Sequence, residues 1–168
     1  MKQFDINLVD PNMLGIVKEY PKIFLEPSDE VLHWYESGHA PEKKEDLVNL
    51  RFGFEHKSGW KIIVRHFCKN IQRLCDDAKK KGHDIQYKSC IIKEKLGGLR
   101  FQGFLEGVDR KEYHDQYYAI VEKYEQMSYG VCEITGKVGK LRTNDTGWMR
   151  TLCEEKAEEL GFTNQPLP

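Results

Sequence analysis

Two cysteines near the C-terminus stand at a spacing that metal chemistry uses. Cys132-Glu133-Ile134-Thr135-Gly136 has the frame of a C-x-x-C-G knuckle. With seventeen residues between Thr135 and it, Cys153-Glu154-Glu155-Lys156 stands where a second C-x-x-C or C-x-x-H would fall. Structural zinc takes four deprotonated sulfur or nitrogen donors in a tetrahedron, and knuckles about fifteen to twenty residues apart supply them from a hairpin and the first turn of a helix. Thr135 and Lys156 are not such donors, so the spacing is kept while half of the ligand set is gone. The expectation is a C-terminal unit with the shape of a metal module and no metal. Burial of Ile134, Val138, Leu141, Trp148 and Leu152 then has to supply its cohesion.

A second candidate is a cluster of cations about a bend. Lys93, Lys95 and Arg100 flank Gly97-Gly98, two residues without a Cβ that permit φ > 0 and let a ligand approach the backbone. Arg100 is the first choice among them, because its planar fork grips phosphate or carboxylate through two parallel hydrogen bonds. A plain Gly-Gly hairpin with lysines protecting an edge strand accounts for the same residues and is modestly favoured. No helix N-terminus follows the glycines, as a phosphate loop requires. If the protein has a ligand, it is anionic, and Lys93, Lys95, Gly97, Gly98 and Arg100 bind it.

Nothing else in the chain assembles a reaction centre. His33, His39, His56, His66, His83 and His114 form no H-x3-H or H-E-x-x-H pair. Cys68 and Cys75 fall beside an apolar helical stripe and read as structural thiols. The pairs Asp76-Asp77, Glu154-Glu155 and Glu158-Glu159 lie on exposed helix faces, where solvated carboxylates are the ordinary case. Tyr113, Tyr117, Tyr118, Tyr124 and Tyr129, with Trp60 and Trp148, could stack a base, yet Tyr113, Tyr117 and Tyr124 share one helical stripe and read as core. No catalytic residue, metal ligand or cofactor is assigned.

The elements that would position these groups follow from periodicity. Pro11, Pro21, Pro27 and Pro41 break the first fifty residues into a patchwork whose one clear helix starts at Ser28 and stops at Gly38. Leu50, Phe52 and Phe54 alternate as a short strand. From Ser58 to about Lys81, Trp60, Ile63, Val64, Phe67, Ile71, Leu74, Cys75 and Ala78 recur at spacings of three and four, the pattern of a core helix. Residues 84 to 105 read as two strands. Ile85, Tyr87, Ser89 and Ile91 face one way and Cys90 and Ile92 the other, with Gly97-Gly98 as the bend and Leu99, Phe101 and Phe104 on the return. Asp109 with Glu112 opens another helix, striped by Tyr113, Tyr117, Ile120, Val121, Tyr124 and Met127. A last helix spans about Leu152 to Leu160 before Gly161. The fold class is therefore α+β: a helix–strand–strand–helix core over residues 1–130, a degenerate treble-clef or zinc-ribbon-like module over 131–162, and a tail over 163–168.

With 168 residues the chain is long enough for one domain with a buried core. A charged fraction of 32% with a net charge of -1 describes a surface of both signs without polyelectrolyte bias towards nucleic acid. No apolar run approaches the ~20 residues that span a bilayer. Residues 1–10 build no leader h-region, and the odd number of cysteines suits reduced thiols. The expected setting is the cytoplasm, away from membranes.

The chain also resembles a family of small uncharacterised proteins of bacteria and their phages. The likeness is carried by Tyr20-Pro21-Lys22-Ile23-Phe24, Gly59-Trp60, Lys93 to Phe101, Cys132-Glu133 with Gly136 and Gly139, Gly147-Trp148 and Thr151-Leu152-Cys153, in that order. The family pattern has a K-E-K-F-G-G-L-R-F-Y segment and a C-x-x-C-G-x-P-G … G-W … T-L-C-x-x-H tail. The present chain has Thr135 for the second cysteine, Val138 for the proline and Lys156 for the histidine. The resemblance implies no established activity. If family geometry is kept, Cys132 and Cys153 lie near enough for oxidation to join them, provided their Cα atoms come within about 7 Å. The reading is a small non-enzymatic binding protein, phage or mobile-element encoded, that sequesters an anionic, nucleotide-like ligand or blocks a host protein. The alternative is a nucleic-acid-associated module derived from a zinc ribbon, with Lys137, Lys140, Arg142 and Arg150 as its cations. An enzyme whose site assembles only in a dimer is a weaker third.

Overall fold

The computed structural model describes residues 11–24, 54–107 and 111–164. The helix expected from Ser28 and the strand positions Leu50 and Phe52 lie outside them, as does the expected helix start at Asp109. The described chain is α+β. Its elements are α1 (Pro11–Glu19), β1 (Phe54–Glu55), a 3-10 turn (Ser58–Trp60), α2 (Lys61–Lys80), β2 (Gln86–Lys95), β3 (Gly98–Glu106), α3 (Lys111–Ser128), β4 (Lys140–Thr143), β5 (Met149–Leu152) and α4 (Glu154–Leu160). Among the described residues no helix is long and apolar enough to cross a membrane.

The first sheet has the order β1-β2-β3, with β1 parallel to β2 and β2 antiparallel to β3. Helices α2 and α3 pack on one of its faces and on each other. The stripe of α2 is buried as its spacing demands, with Trp60, Ile63, Val64, Phe67, Ile71, Leu74 and Ala78 all in the main core beside Tyr87, Ile92, Leu99 and Phe101. Phe67 stacks on Phe101 with ring centroids 3.9 Å apart. From α3, Tyr113, Tyr117 and Tyr124 join this core, whereas Tyr118, off the stripe, is exposed. Their hydroxyls are hydrogen-bonded within the protein. That of Tyr113 meets His83 Nδ1 at 2.6 Å, that of Tyr117 donates to Gly103 O at 3.1 Å, and that of Tyr124 accepts from Asn70 at 2.7 Å. Met127, counted with the stripe, is exposed.

Three local features depart from the periodic reading. Residues 11–19, read as part of a proline-broken patchwork, form α1. Pro11 takes the first helical position, where its missing N–H is no loss, and Met13, Ile16 and Val17 bury one face. In β2 the simple alternation fails at Cys90. The register steps from Ser89 opposite Gly103 to Ile91 opposite Gln102, so Cys90 is the extra residue of a β-bulge. The bulge switches parity, and Tyr87 and Ser89 before it share the core face with Ile92 after it. The bend is centred on Leu96-Gly97 and not on Gly97-Gly98, since Lys95 already pairs with Gly98. Leu96 has φ 54 and Gly97 φ 78, the two positive values of a type I′ hairpin turn.

The open margin of β3 is covered by α3. Leu99 N donates to Ser128 Oγ at 2.8 Å and Phe101 N to Glu125 Oε1 at 3.0 Å, while Gly103 O takes the Tyr117 hydroxyl. Side chains one or two turns apart on a helix thus complete backbone groups that an edge strand would otherwise leave bare.

From Val131 the chain forms a tight turn, a two-stranded antiparallel hairpin of β4 and β5, and α4. Leu152 belongs to β5 and not to the helix, whose N-cap is Cys153. Gly161 ends α4 at φ 73, and Phe162 N returns to Ala157 O at 2.8 Å, a closure that wants a left-handed residue. A second small core gathers Cys132, Leu152, Cys153, Ala157 and Phe162 with Ile134. Val138 and Trp148 do not contribute the burial expected of them, being 83% and 63% exposed. Val138 lies in an isolated bridge to Val131, and the next residue, Gly139, is the one pressed against the backbone of Cys132. Trp148 closes the β4–β5 loop, where Asn144 Oδ1 accepts from the backbone of Thr146 and of Trp148 and leaves the indole outside.

This segment is bonded to the rest of the fold at several points. Trp60 Nε1 donates to Val131 O at 2.7 Å, Gly59 N to Glu133 O at 2.8 Å, and Thr151 Oγ1 to Gly97 O at 2.6 Å.

Candidate functional site

The turn at Cys132 and the entry of α4 bring the two C-terminal thiols to one small buried place. Cys132 is fully buried and Cys153 nearly so. Thr135 Oγ1 stands 3.7 Å from Cys153 Sγ. Burial alone pushes the Cys132 thiol up. Hydrogen bonds from the Thr135 hydroxyl and from the backbone N–H groups of Cys153, Thr135 and Ile134 outweigh it and hold the thiol below the ordinary cysteine range. Both cysteines are free thiols.

The four positions of the knuckle frame therefore carry a thiol, a hydroxyl, a thiol and an ammonium group. That donor set does not fit tetrahedral zinc, which needs four deprotonated sulfur or nitrogen ligands. Lys156 Nζ is engaged with Glu159, and among the described residues no group of three or more His, Cys, Asp or Glu is arranged to hold a metal ion.

The hairpin cations stand as follows. Lys93 is directly opposite Arg100 across β2 and β3, and Lys95 lies two residues beyond Lys93 on the same face, so the three side chains share the face turned away from Ile92, Leu99 and Phe101. Arg100 is half-buried and well tied. Its Nη1 donates to Leu99 O at 2.6 Å and its Nη2 to the Tyr129 hydroxyl at 2.8 Å. Its Nε lies 3.9 Å from Glu125, and its guanidinium sits over the Tyr129 ring at 5.8 Å. Lys93 is half-buried and Lys95 exposed.

The glycines act in packing. A Cβ on Gly97 would come within 2.2 Å of Leu141 Cδ1, and one on Gly98 within 2.4 Å of Tyr129 Cζ. Gly97 N donates to Glu94 Oε1 at 2.6 Å and Gly97 O accepts from Thr151. The space that each missing side chain leaves is taken by Leu141 and by Tyr129.

The residues that orient Arg100, namely Glu125 and Tyr129, were not signalled by the sequence. They sit 25 and 29 positions away at the end of α3, and only the packing of α3 along β3 brings them there. The basic residues of the C-terminal segment are largely matched by carboxylates. Arg150 is held in a two-point contact by buried Glu133, Arg142 donates to Glu154 at 2.5 Å, and Lys137 lies 3.4 Å from Glu155. Arg142 and Arg150 are cross-strand neighbours, and their acidic partners offset a like-charge pair that would otherwise oppose β4–β5 pairing. Among the exposed aromatics, Trp148 is presented on a hydrogen-bonded loop, whereas Trp60 is fully buried.

Searches against protein-family models, curated proteins and solved structures find no match to this chain.

Proposed function

We propose that the protein is a small non-enzymatic binding protein and that it meets an anionic group on the outer face of the β2–β3 hairpin. The observation that carries this reading is the register: Lys93 and Arg100 stand opposite each other, with Lys95 next along the same face. Tyr129, Glu125 and Leu99 O fix the direction of the Arg100 guanidinium. Two of its N–H donors are engaged in those hydrogen bonds, out of the five that a guanidinium carries. A preset cation loses little freedom on binding. Because Leu141 and Tyr129 occupy the Cβ positions of Gly97 and Gly98, recognition on this reading rests chiefly on side chains, with Lys93 and Lys95 as the adaptable partners.

The C-terminal segment reads as a zinc-ribbon-like frame that has exchanged ligands for a small apolar core. Its order of turn, hairpin and short helix, with Cys132 and Cys153 at the turn and the helix entry, supports that reading and the resemblance to the phage and bacterial family. The matching of Arg150, Arg142 and Lys137 by carboxylates weighs against a nucleic-acid surface there. Blocking a host protein is the branch favoured by the exposed Trp148 and Val138, since aromatic anchors outside the core are typical of protein interfaces.

Isothermal titration with inorganic phosphate, pyrophosphate and ATP, at low and at physiological salt, tests the proposal. Binding should fall by about tenfold or more in Lys93→Gln/Lys95→Gln, in line with about 1.5–3 kcal/mol for a charge-assisted hydrogen bond. No binding of any of the three anions at low salt, or equal binding by the double variant, refutes it.

A further inference from the structure

We propose that Leu96, at the tip of the β2–β3 hairpin, is an apolar anchor for a partner protein, and that the partner offers it an apolar pocket bordered by carboxylates. On the anion reading above, on which this rests, the anionic group is then a carboxylate of the partner.

The backbone at Leu96 is strained. Its φ is 54, and among the described residues it is the one residue other than glycine with a positive value. A side chain with a Cβ is disfavoured there, and leucine lacks the short polar group through which asparagine or aspartate offsets the strain. A type I′ turn favours Asn-Gly at these two places, and the chain supplies Leu-Gly. Exposure is an independent sign. Leu96 is 58% exposed, so burial offsets only part of what its conformation costs. A local rule broken without a matching gain inside the fold points to a role outside it.

The surroundings hold this conformation in place. Lys95 pairs with Gly98 across the turn, Gly97 N donates to Glu94 Oε1 at 2.6 Å, and Gly97 O accepts from Thr151 Oγ1 at 2.6 Å. Leu141 Cδ1 and the backbone of Arg150 stand where a Gly97 Cβ would be. The tip is thus a fixed knob, and a preset turn loses little freedom on docking.

Charge selects the partner. Exposed Lys95 precedes Leu96 directly, and Lys93, with Arg100 opposite it, lies about 7 Å further back along the outer face, two residues of strand rise. An apolar tip with three cations behind it complements an apolar pocket that has carboxylates along one side. A single leucine carries far less apolar area than the acyl chain that gives even marginal membrane binding, so a lipid surface is the weaker match.

The test uses the full chain and Leu96→Asn, a change that gives the turn its favoured pair and removes the anchor. The melting temperature of the variant should rise by about 2–4 °C. A random peptide library displayed on phage is selected on the wild-type protein, and the enriched peptides are synthesised and titrated. They should combine a large apolar residue with Asp or Glu, and Leu96→Asn should weaken their binding by about tenfold or more, as loss of an interface hot spot does. Inorganic phosphate should bind both proteins equally. A Leu96→Asn melting temperature at or below that of the wild type, no enrichment of acidic and apolar peptides, or equal peptide binding by the variant would each overturn the proposal. So would Leu96-dependent sedimentation with phosphatidylserine-containing vesicles, which would assign the tip to a lipid surface. Any of these outcomes with phosphate binding intact removes this inference alone, whereas absence of phosphate binding in the wild type removes the anion reading and this inference with it.

Discussion

Replacing Thr151 by valine tests how the C-terminal segment is joined to the hairpin. Thr151 is fully buried, and its Oγ1 donates to Gly97 O at 2.6 Å across 54 positions of sequence. Valine keeps the volume, the β-branch and the strand preference of threonine, so the substitution removes one donor and little else. Gly97 is itself buried, with Leu141 Cδ1 against the place of its absent side chain, and water has no ready way to the orphaned carbonyl. A buried acceptor left without a partner costs about 1–3 kcal/mol. In a chain of this size each kcal/mol shifts Tm by about 2–4 °C, so the melting temperature should fall by about 2–12 °C. Urea unfolding followed by circular dichroism gives the free energy, and amide exchange at Glu133, whose N–H bonds Thr151 O, reports whether the joint itself loosens. Thr151→Ser keeps the donor and loses one methyl group, worth about 0.8 kcal/mol. A Thr151→Val loss below about 0.5 kcal/mol, the level of an ordinary surface change, would refute the reasoning. So would a valine variant more stable than the serine one.

Three further outcomes follow from the same geometry. Ser128→Ala should cost about 1–3 kcal/mol by orphaning the buried Leu99 N–H, with faster exchange of that amide, and an unchanged exchange rate would show that another group takes over. Gly98→Ala drives a Cβ to within 2.4 Å of Tyr129 Cζ and should destabilise by about 1–3 kcal/mol, the range for overpacking, with partial recovery on adding Tyr129→Leu. Thr135→Val removes the side-chain donor that holds the Cys132 thiol low, so its thiolate absorbance should appear at higher pH than in the wild type. The sign for stability is that a depressed thiol contributes stability present above its unfolded value and lost as pH falls through its folded value; that pH-dependent increment should shrink in the valine variant.

Local patterns were readable in the chain where neighbours in sequence decide the outcome. The α2 stripe from Trp60 to Ala78, the hairpin about residue 97 and the Gly161 stop all follow from spacing and turn chemistry. What spacing did not carry was set by distant contacts. The bulge at Cys90 reverses which β2 residues face the core, and no turn residue announces it. Helix α1 was signalled only by Pro11 after Asp10, a pair that reads equally as a break. Gly97 and Gly98 looked like room for a ligand, because the sequence does not say that Leu141 and Tyr129 occupy that room. Val138 and Trp148 were counted as core by residue type, although a two-stranded hairpin has an outer side that nothing need cover.

The covering of β3 by Ser128, Glu125 and Tyr117 limits the ways in which another molecule can be recognised. A strand with bare backbone groups invites a peptide or a second copy to add itself to the sheet, the route of many promiscuous and aggregating contacts. Along this margin the invitation is withdrawn, since the N–H groups of Leu99 and Phe101 and the carbonyl of Gly103 already have partners from α3. Whatever docks here must be chosen by the side chains it meets, and the choice is made without the main-chain ladder that would let many sequences fit.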